Sequence, residues 1–139
     1  MIAAILVGVV AIGSVQTLDR LNRNASTNRV ITNARAIVQR NVDTALSVTC
    51  SKSSIPPILA ITSTGGAVYD DDGGTANLVT IAQQGSSTVE LARGTLTRIV
   101  TPVVNSDGAD IRQIVFRLNY NYLGRDHSYS LSSMRAIDD

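Results

Sequence analysis

In residues 30–48, VITNARAIVQRNVDTALSV, the apolar side chains Val30, Ile31, Ala34, Ile37, Val38, Val42, Ala45 and Val48 recur at steps of three and four. That spacing draws one apolar stripe, somewhat wider than about 100°, along an α-helix. Arg29, Asn33, Arg40 and Asp43 mark the opposite, wet face. A helix with such a stripe needs a surface to lie on, so the flanking sequence must provide one.

Toward the N-terminus no proline interrupts the chain. Residues 19–29, DRLNRNASTNR, are polar and poor in helix propensity, yet they contain no breaker. Before them lies MIAAILVGVVAIGSV, residues 1–15, without a single charge; the first charged group is Asp19. The expectation is one helix over residues 1–50, about 70 Å long at about 1.5 Å per residue. The remaining residues are too few to cover it, so the part over 1–25 must find lipid or another chain. Residues 1–18 reach the short end of the roughly 17–25 apolar residues that cross a bilayer. Gly8 and Gly13 each cost about 1 kcal/mol of helix stability relative to Ala and mark where the helix can loosen. At the other end, residues 47–51 fray the helix and Pro56-Pro57 stop it. Residues 51–57 thus read as a hinge.

After Pro57 short β-branched runs alternate with turn signals: ILAIT, AVY, NLVTIA, TVELA, TLTRIVTPVV and IRQIVFRLNYNYL. They predict an antiparallel sheet over residues 58–139. In the last run Ile114, Phe116, Leu118, Tyr120 and Tyr122 alternate with Val115, Arg117, Asn119 and Asn121, giving one buried and one wet face. GRDHS is expected to turn the chain into a final strand, SYSLSSMRAI. There Tyr129 and Leu131 share a face, and Ser132-Ser133 is expected to bulge and shift the phase toward Met134 and Ala136. The predicted fold is therefore α+β. A long N-terminal helix, apolar in its first half and amphipathic in its second, packs on a small antiparallel β-sheet head.

The 139 residues carry a net charge of +1, which excludes a strongly basic or acidic chain. Residues 1–50 hold five Arg against two Asp, while the rest lean slightly negative, a distribution suited to contacts between copies. Cys50 is alone, so no intrachain disulfide can form. A small domain without staples gains stability elsewhere, and subunit packing is one route. No catalytic constellation is found. His127 is the single histidine and is expected in an exposed turn; Glu90 is the single glutamate, on a half-exposed strand. Cys50 reads as a small hydrophobe at the helix end. Asp70, Asp71 and Asp72 precede two glycines and form a weak candidate for a calcium loop, against the reading of a solvated turn. Asn24-Ala25-Ser26 is a glycosylation sequon in a predicted helix. Tyr120 and Tyr122 read as core, with an aromatic platform as the other option. Basic groups are scattered, so no nucleic-acid contact and no cofactor are expected.

The apolar front MIAAILVGVVAIG, the amphipathic continuation, and the segments RQIVFRLNY and YSLSSMRAI at the back together resemble the type IV pilin-like proteins, pseudopilins and minor pilins included. The resemblance covers the chain in architecture. It implies a structural subunit of an extracellular pilus-like filament, held in the inner membrane by a single span before an assembly machinery polymerises it, or, as the alternative within the family, a minor pseudopilin of a secretion system. It is not an enzyme on this reading, and adhesion, twitching or DNA uptake would belong to the fibre. The implied filament-core residues are Met1, Ala3, Ala4, Ile5, Leu6, Val7, Gly8, Val9, Val10, Ala11 and Ile12, with Gly8 and Gly13 giving flexibility. The implied helix–head contacts are Val30, Ala34, Ile37, Val38, Val42, Ala45 and Val48. Residues 1–13 lack the family's Glu, which lies shortly before a helix-loosening Gly. With Gly8 in that role, the leader and first mature residues are expected upstream of Met1. The C-terminal disulfide common in the family is also missing.

Two other readings compete. In one, residues 1–18 anchor a β-rich binding module whose loops around Asp70 and Ser106 take a ligand. In the other, a signal peptide is cleaved after Ala11-Ile12-Gly13 and a secreted domain starts near Ser14. A filament requires residues 19–29 to be helical, whereas an anchor tolerates a flexible linker there.

Overall fold

Without a proline before Pro56, the N-terminal third has nothing to stop a helix, and α1 runs unbroken over Ile2–Ser47. The computed structural model describes residues 2–61, 78–83, 90–103 and 109–137, with side chains from residue 16 onward in the helix and from residue 92 in the second strand. By its internal contacts the chain divides into two compact units, Met1–Thr32 and Asn33–Asp139, so the boundary falls inside α1.

In the first unit residues 16–25 are exposed, Leu18 and Leu21 among them. Asp19 and Arg23 pair at 3.1 Å one helical turn apart, and Thr27 donates to the Arg23 carbonyl at 2.8 Å. Such exposed pairs contribute only a few tenths of a kcal/mol (about 0.3–0.5), so they shape the helix more than they stabilise it. Val30 is buried. Among the described residues no helix is long and apolar enough to cross a membrane. The side chains of the uncharged run over 1–15 lie outside that set.

The second unit contains the rest of α1, from Asn33, and a four-stranded antiparallel sheet in the order β1-β2-β3-β4. The strands are β1 (Leu78–Gln83), β2 (Glu90–Val103), β3 (Ile111–Tyr122) and β4 (Arg125–Ala136). All six even-numbered residues of β3, from Arg112 to Tyr122, are buried, as the alternation predicts for 114–122. The partners across the register, Leu96 and Val100 on β2 and Tyr129 and Leu131 on β4, line the same face. The helix stripe meets this face: Ala34, Val38, Val42 and Ala45 are buried, and Ile37 and Val48 are half-buried.

The strands differ from expectation in four places. Over its described residues, 58–61, ILAIT forms no strand. Pro57–Leu59 makes a 3-10 turn instead, closed by Leu59 N–H donating to the Pro56 carbonyl at 2.9 Å, because the fixed φ of two prolines favours a turn over a ladder. The described parts of TVELA and TLTRIVTPVV fuse into β2, Glu90–Val103, with Gly94 inside it. A Cβ on Gly94 would stand 2.8 Å from Leu118 Cδ1 and 2.9 Å from the Asn119 carbonyl oxygen, so the residue admits a close strand approach rather than a turn. Pro102 is tolerated because β1 pairs with β2 only as far as Thr95. The turn after β3 is not GRDHS. It is Leu123-Gly124, both at positive φ (52° and 73°), the two-residue connection that matches strand twist. Ser132-Ser133 carries no bulge either: β4 stays in continuous register with β3, which leaves Met134 on the outer face at 62% exposure. The irregularity sits on β1 instead, where the register shifts past Thr80 and both Ile81 and Ala82 are buried. The run AVY lies outside the described residues.

Candidate functional site

The inner face of the sheet holds three arginines where alternation calls for apolar residues, and each donates to backbone carbonyls of the segments lying over it. Arg98 on β2 is 4% exposed and bonds the Pro57 carbonyl. Arg112 on β3 is 5% exposed and donates to the Leu59 carbonyl at 2.7 Å. Its other edge meets Asp110 at 2.9 Å, an ion pair that, through the hydrogen bond first, holds the Asp110 carboxyl below its ordinary range. Arg135 on β4 donates to the carbonyls of Ala45 and Leu46. These carbonyls end the helix, which has no basic residue in its own last turn, so a cation from the sheet satisfies the orphan groups and the negative end of the dipole. Asn33 donates to the Ile81 carbonyl at 2.9 Å, and the Arg35 guanidinium stands 5.7 Å over the Tyr129 ring. The helix segment from Asn33 is thus tied to both edge strands, β1 and β4.

Where the Arg98 tie ends, the C-terminal part of α1 and the Pro56-Pro57 corner line an open groove of about 440 Å³. It is lined by Arg40, Asn41, Thr44, Val48, Pro56, Pro57 and Ile58. Asn41 is buried and donates to the Ile37 carbonyl at 2.9 Å, which keeps its amide in the wall. At the other end of the sheet the β3–β4 turn lifts Leu123 to 70% exposure. Arg125 and Asp126 flank it, and Asn121 donates to the Asp126 carboxylate at 2.8 Å.

His127 is not in an exposed turn. It lies on β4, half-buried, with its ring stacked on Tyr120 at 5.1 Å and 16°. Tyr120 and Tyr122 face inward, and burial pushes the Tyr120 hydroxyl pKa up. Cys50 is buried at 2% exposure, like a small apolar residue. Asn24 is exposed on α1, and Glu90 opens β2. Asp70, Asp71, Asp72 and Ser106 lie outside the described residues, as do the side chains of the expected filament-core residues from Ala3 to Ile12 and Met1 altogether. At Gly8 and Gly13 the backbone is helical. Among the described residues no group of three or more His, Cys, Asp or Glu side chains is placed to hold a metal.

Arg98, Arg112, Arg135 and Asn41 are the structural polar residues that the periodicity argument omitted. The parity of their strands carried the signal: Arg112 shares phase with Ile114 and Phe116, and Arg98 with Leu96 and Val100. The chain matches no family model, no curated protein and no solved structure.

Proposed function

We propose that this chain is a structural subunit of a type IV pilus-like extracellular filament that assembles through its apolar N-terminal helix. The observation that carries the reading is the helix through residues 19–29. That segment is polar, largely exposed and rich in weak helix formers, and a simple membrane anchor has no need to order it. It is nevertheless helical, and so joins the uncharged run over 1–15 to the amphipathic half without a linker. An uncharged helix is stable in lipid, where its backbone bonds are satisfied internally, and equally stable among copies of itself. Moving between the two dry environments gains little hydrophobic energy, so packing of the small residues Ala3, Ala4, Gly8 and Ala11 would decide the transfer. A head-to-tail contact that does not close produces a fibre. The inner membrane before assembly, an assembly machinery and other copies of this chain are the partners on this reading.

The test is electron microscopy of material sheared from cells that produce the chain, combined with the mass of its N-terminal peptide. Filaments whose subunits carry a methylated N-terminus are expected. A mature chain that starts near Ser14 and forms no filaments would overturn the proposal.

A further inference from the structure

β4 lies at one edge of the sheet, and among the described residues only β3 pairs with it. Its phase is fixed just past its end, where the Ile137 N–H donates to the Asp110 carbonyl at 2.8 Å. Odd-numbered residues therefore turn their backbone groups toward β3, and even-numbered ones turn theirs outward. The even-numbered residues from Asp126 to Ala136 are all exposed. No residue of β4 is buried, whereas β3 beside it buries every second side chain. The inner face thus stops short: Phe116 and Leu118 are fully buried, while their register partners Leu131 and Tyr129 are only half-buried. Sheet edges are commonly blunted by shortness, a bulge, proline or charge. β1, at the other edge, has six residues and a shifted register. β4 has 12 residues in unbroken register with β3, no proline, and no Asp, Glu, Lys or Arg from His127 to Met134. A row of outward N–H and C=O groups of that length is complemented by an extended strand.

We infer that β4 of one copy pairs antiparallel with β4 of a second copy, across a two-fold axis at Tyr129. Tyr129 then stands opposite its own counterpart, His127 opposite Leu131, Ser128 opposite Ser130, and Asp126 opposite Ser132. This register sets no like charges against each other and places an aromatic pair on the axis. With Ser130 on the axis Arg125 would oppose Arg135, and with Leu131 on the axis His127 would oppose Arg135. Axes nearer the hairpin shorten the ladder. The pairing satisfies the outward backbone groups and covers the half-buried Tyr129 and Leu131, so the inner face continues from one copy into the next. The contact is isologous and closes at two copies. It goes beyond the filament proposal, because it links heads in pairs and cannot by itself extend a fibre.

The test uses the full chain in detergent. Position 129 falls at a non-hydrogen-bonded pair on the axis, where Cα atoms lie about 4.5 Å apart and a disulfide can close. Under mild oxidation the Tyr129→Cys dimer is expected at least fivefold above that of Leu131→Cys or of the wild-type chain, whose Cys50 is buried. A mixture of His127→Cys and Leu131→Cys chains should cross-link as Tyr129→Cys does. Ser130→Pro gives an independent readout. The Ser130 N–H points outward, so proline removes no bond of the β3–β4 ladder and blocks only the outer edge, and thermal stability should hold. Amide exchange at Ser128 and Ser132 should slow about tenfold from dilute to concentrated wild-type chain and stay fast in Ser130→Pro. Tyr129→Cys yield no higher than that of Leu131→Cys, or protection of those amides that is independent of concentration, overturns the inference. If wild-type filaments form without that protection, the strand pairing is wrong and the filament proposal stands. If the Tyr129→Cys dimer forms but no filaments do, the pairing stands and the filament proposal falls.

Discussion

Replacing Gly94 by alanine sets two effects against each other, and the structure decides which wins. Gly94 has no positive φ, so alanine meets no backbone strain there and should gain about 0.4–1 kcal/mol by restricting the unfolded chain. Its Cβ, however, would sit 2.8 Å from Leu118 Cδ1 and 2.9 Å from the Asn119 carbonyl oxygen. Carbon atoms rest at about 3.5–4.0 Å, and a close C–H···O approach needs about 3.3–3.6 Å. Leu118 is fully buried and the oxygen belongs to the β3 backbone, so neither moves without disturbing the ladder. Overpacking of this kind costs about 1–3 kcal/mol. The net expectation is a loss of about 1–2 kcal/mol, or about 4–8 °C in the melting temperature of a domain this size. Urea and thermal unfolding followed by far-ultraviolet circular dichroism would measure it. In a Leu118→Ala background the Cδ1 clash disappears and the carbonyl clash remains, so the cost should shrink without vanishing. A melting temperature equal to or above wild type would refute the close approach of β2 and β3 at this point.

Other predictions concern the arginines, acid stability and the N-terminal glycines. Arg112→Met should cost about 2–4 kcal/mol, because it leaves the Leu59 carbonyl and Asp110 without their buried partner; denaturant titration reads this directly. Asp110 has a lowered pKa, so its ion pair contributes fully above the ordinary Asp pKa of about 3.9 and is lost as pH falls through the lower folded value. Melting temperature against pH should therefore fall less steeply in acid for Arg112→Met than for wild type. Arg135→Met should weaken the helix end by about 1–3 kcal/mol and speed amide exchange in the last turn of α1 more than in β3. Gly8→Leu with Gly13→Leu should block or deform filaments while leaving the melting of the sheet unchanged, and normal filaments in that double variant would defeat the flexibility argument.

Much of the fold was legible because burial leaves a period in the sequence. The three- and four-residue steps over 30–48 located the docking face of α1, and strict alternation over 114–122 located the inner face of β3. The misses share a cause: composition was read where geometry decided. GRDHS looks like a turn because it is polar, yet Arg125 to Ser128 pair with β3, and the turn falls on Leu123-Gly124, where only the glycine hinted at positive φ. The same error placed His127 outside the ladder. Arg98, Arg112 and Arg135 were passed over because charge reads as surface. Their phase placed them inside, but nothing in the sequence reveals that the carbonyls of Pro57, Leu59 and Ala45 would await them.

The order β1-β2-β3-β4 also sets a timetable for folding. Every strand pairs with its neighbour in sequence, so the sheet can form by successive local additions, each with a modest loop to close. The helix is the exception. Its last turn meets Arg135 across 90 residues, the longest closure among its hydrogen-bonded ties. The tie at the end of the helix cannot close until β4, the final strand, is in register. Conditions that slow the completion of β4 should therefore prolong the interval in which the apolar stripe at Ala34, Val38 and Val42 has no cover, which is the interval most exposed to aggregation.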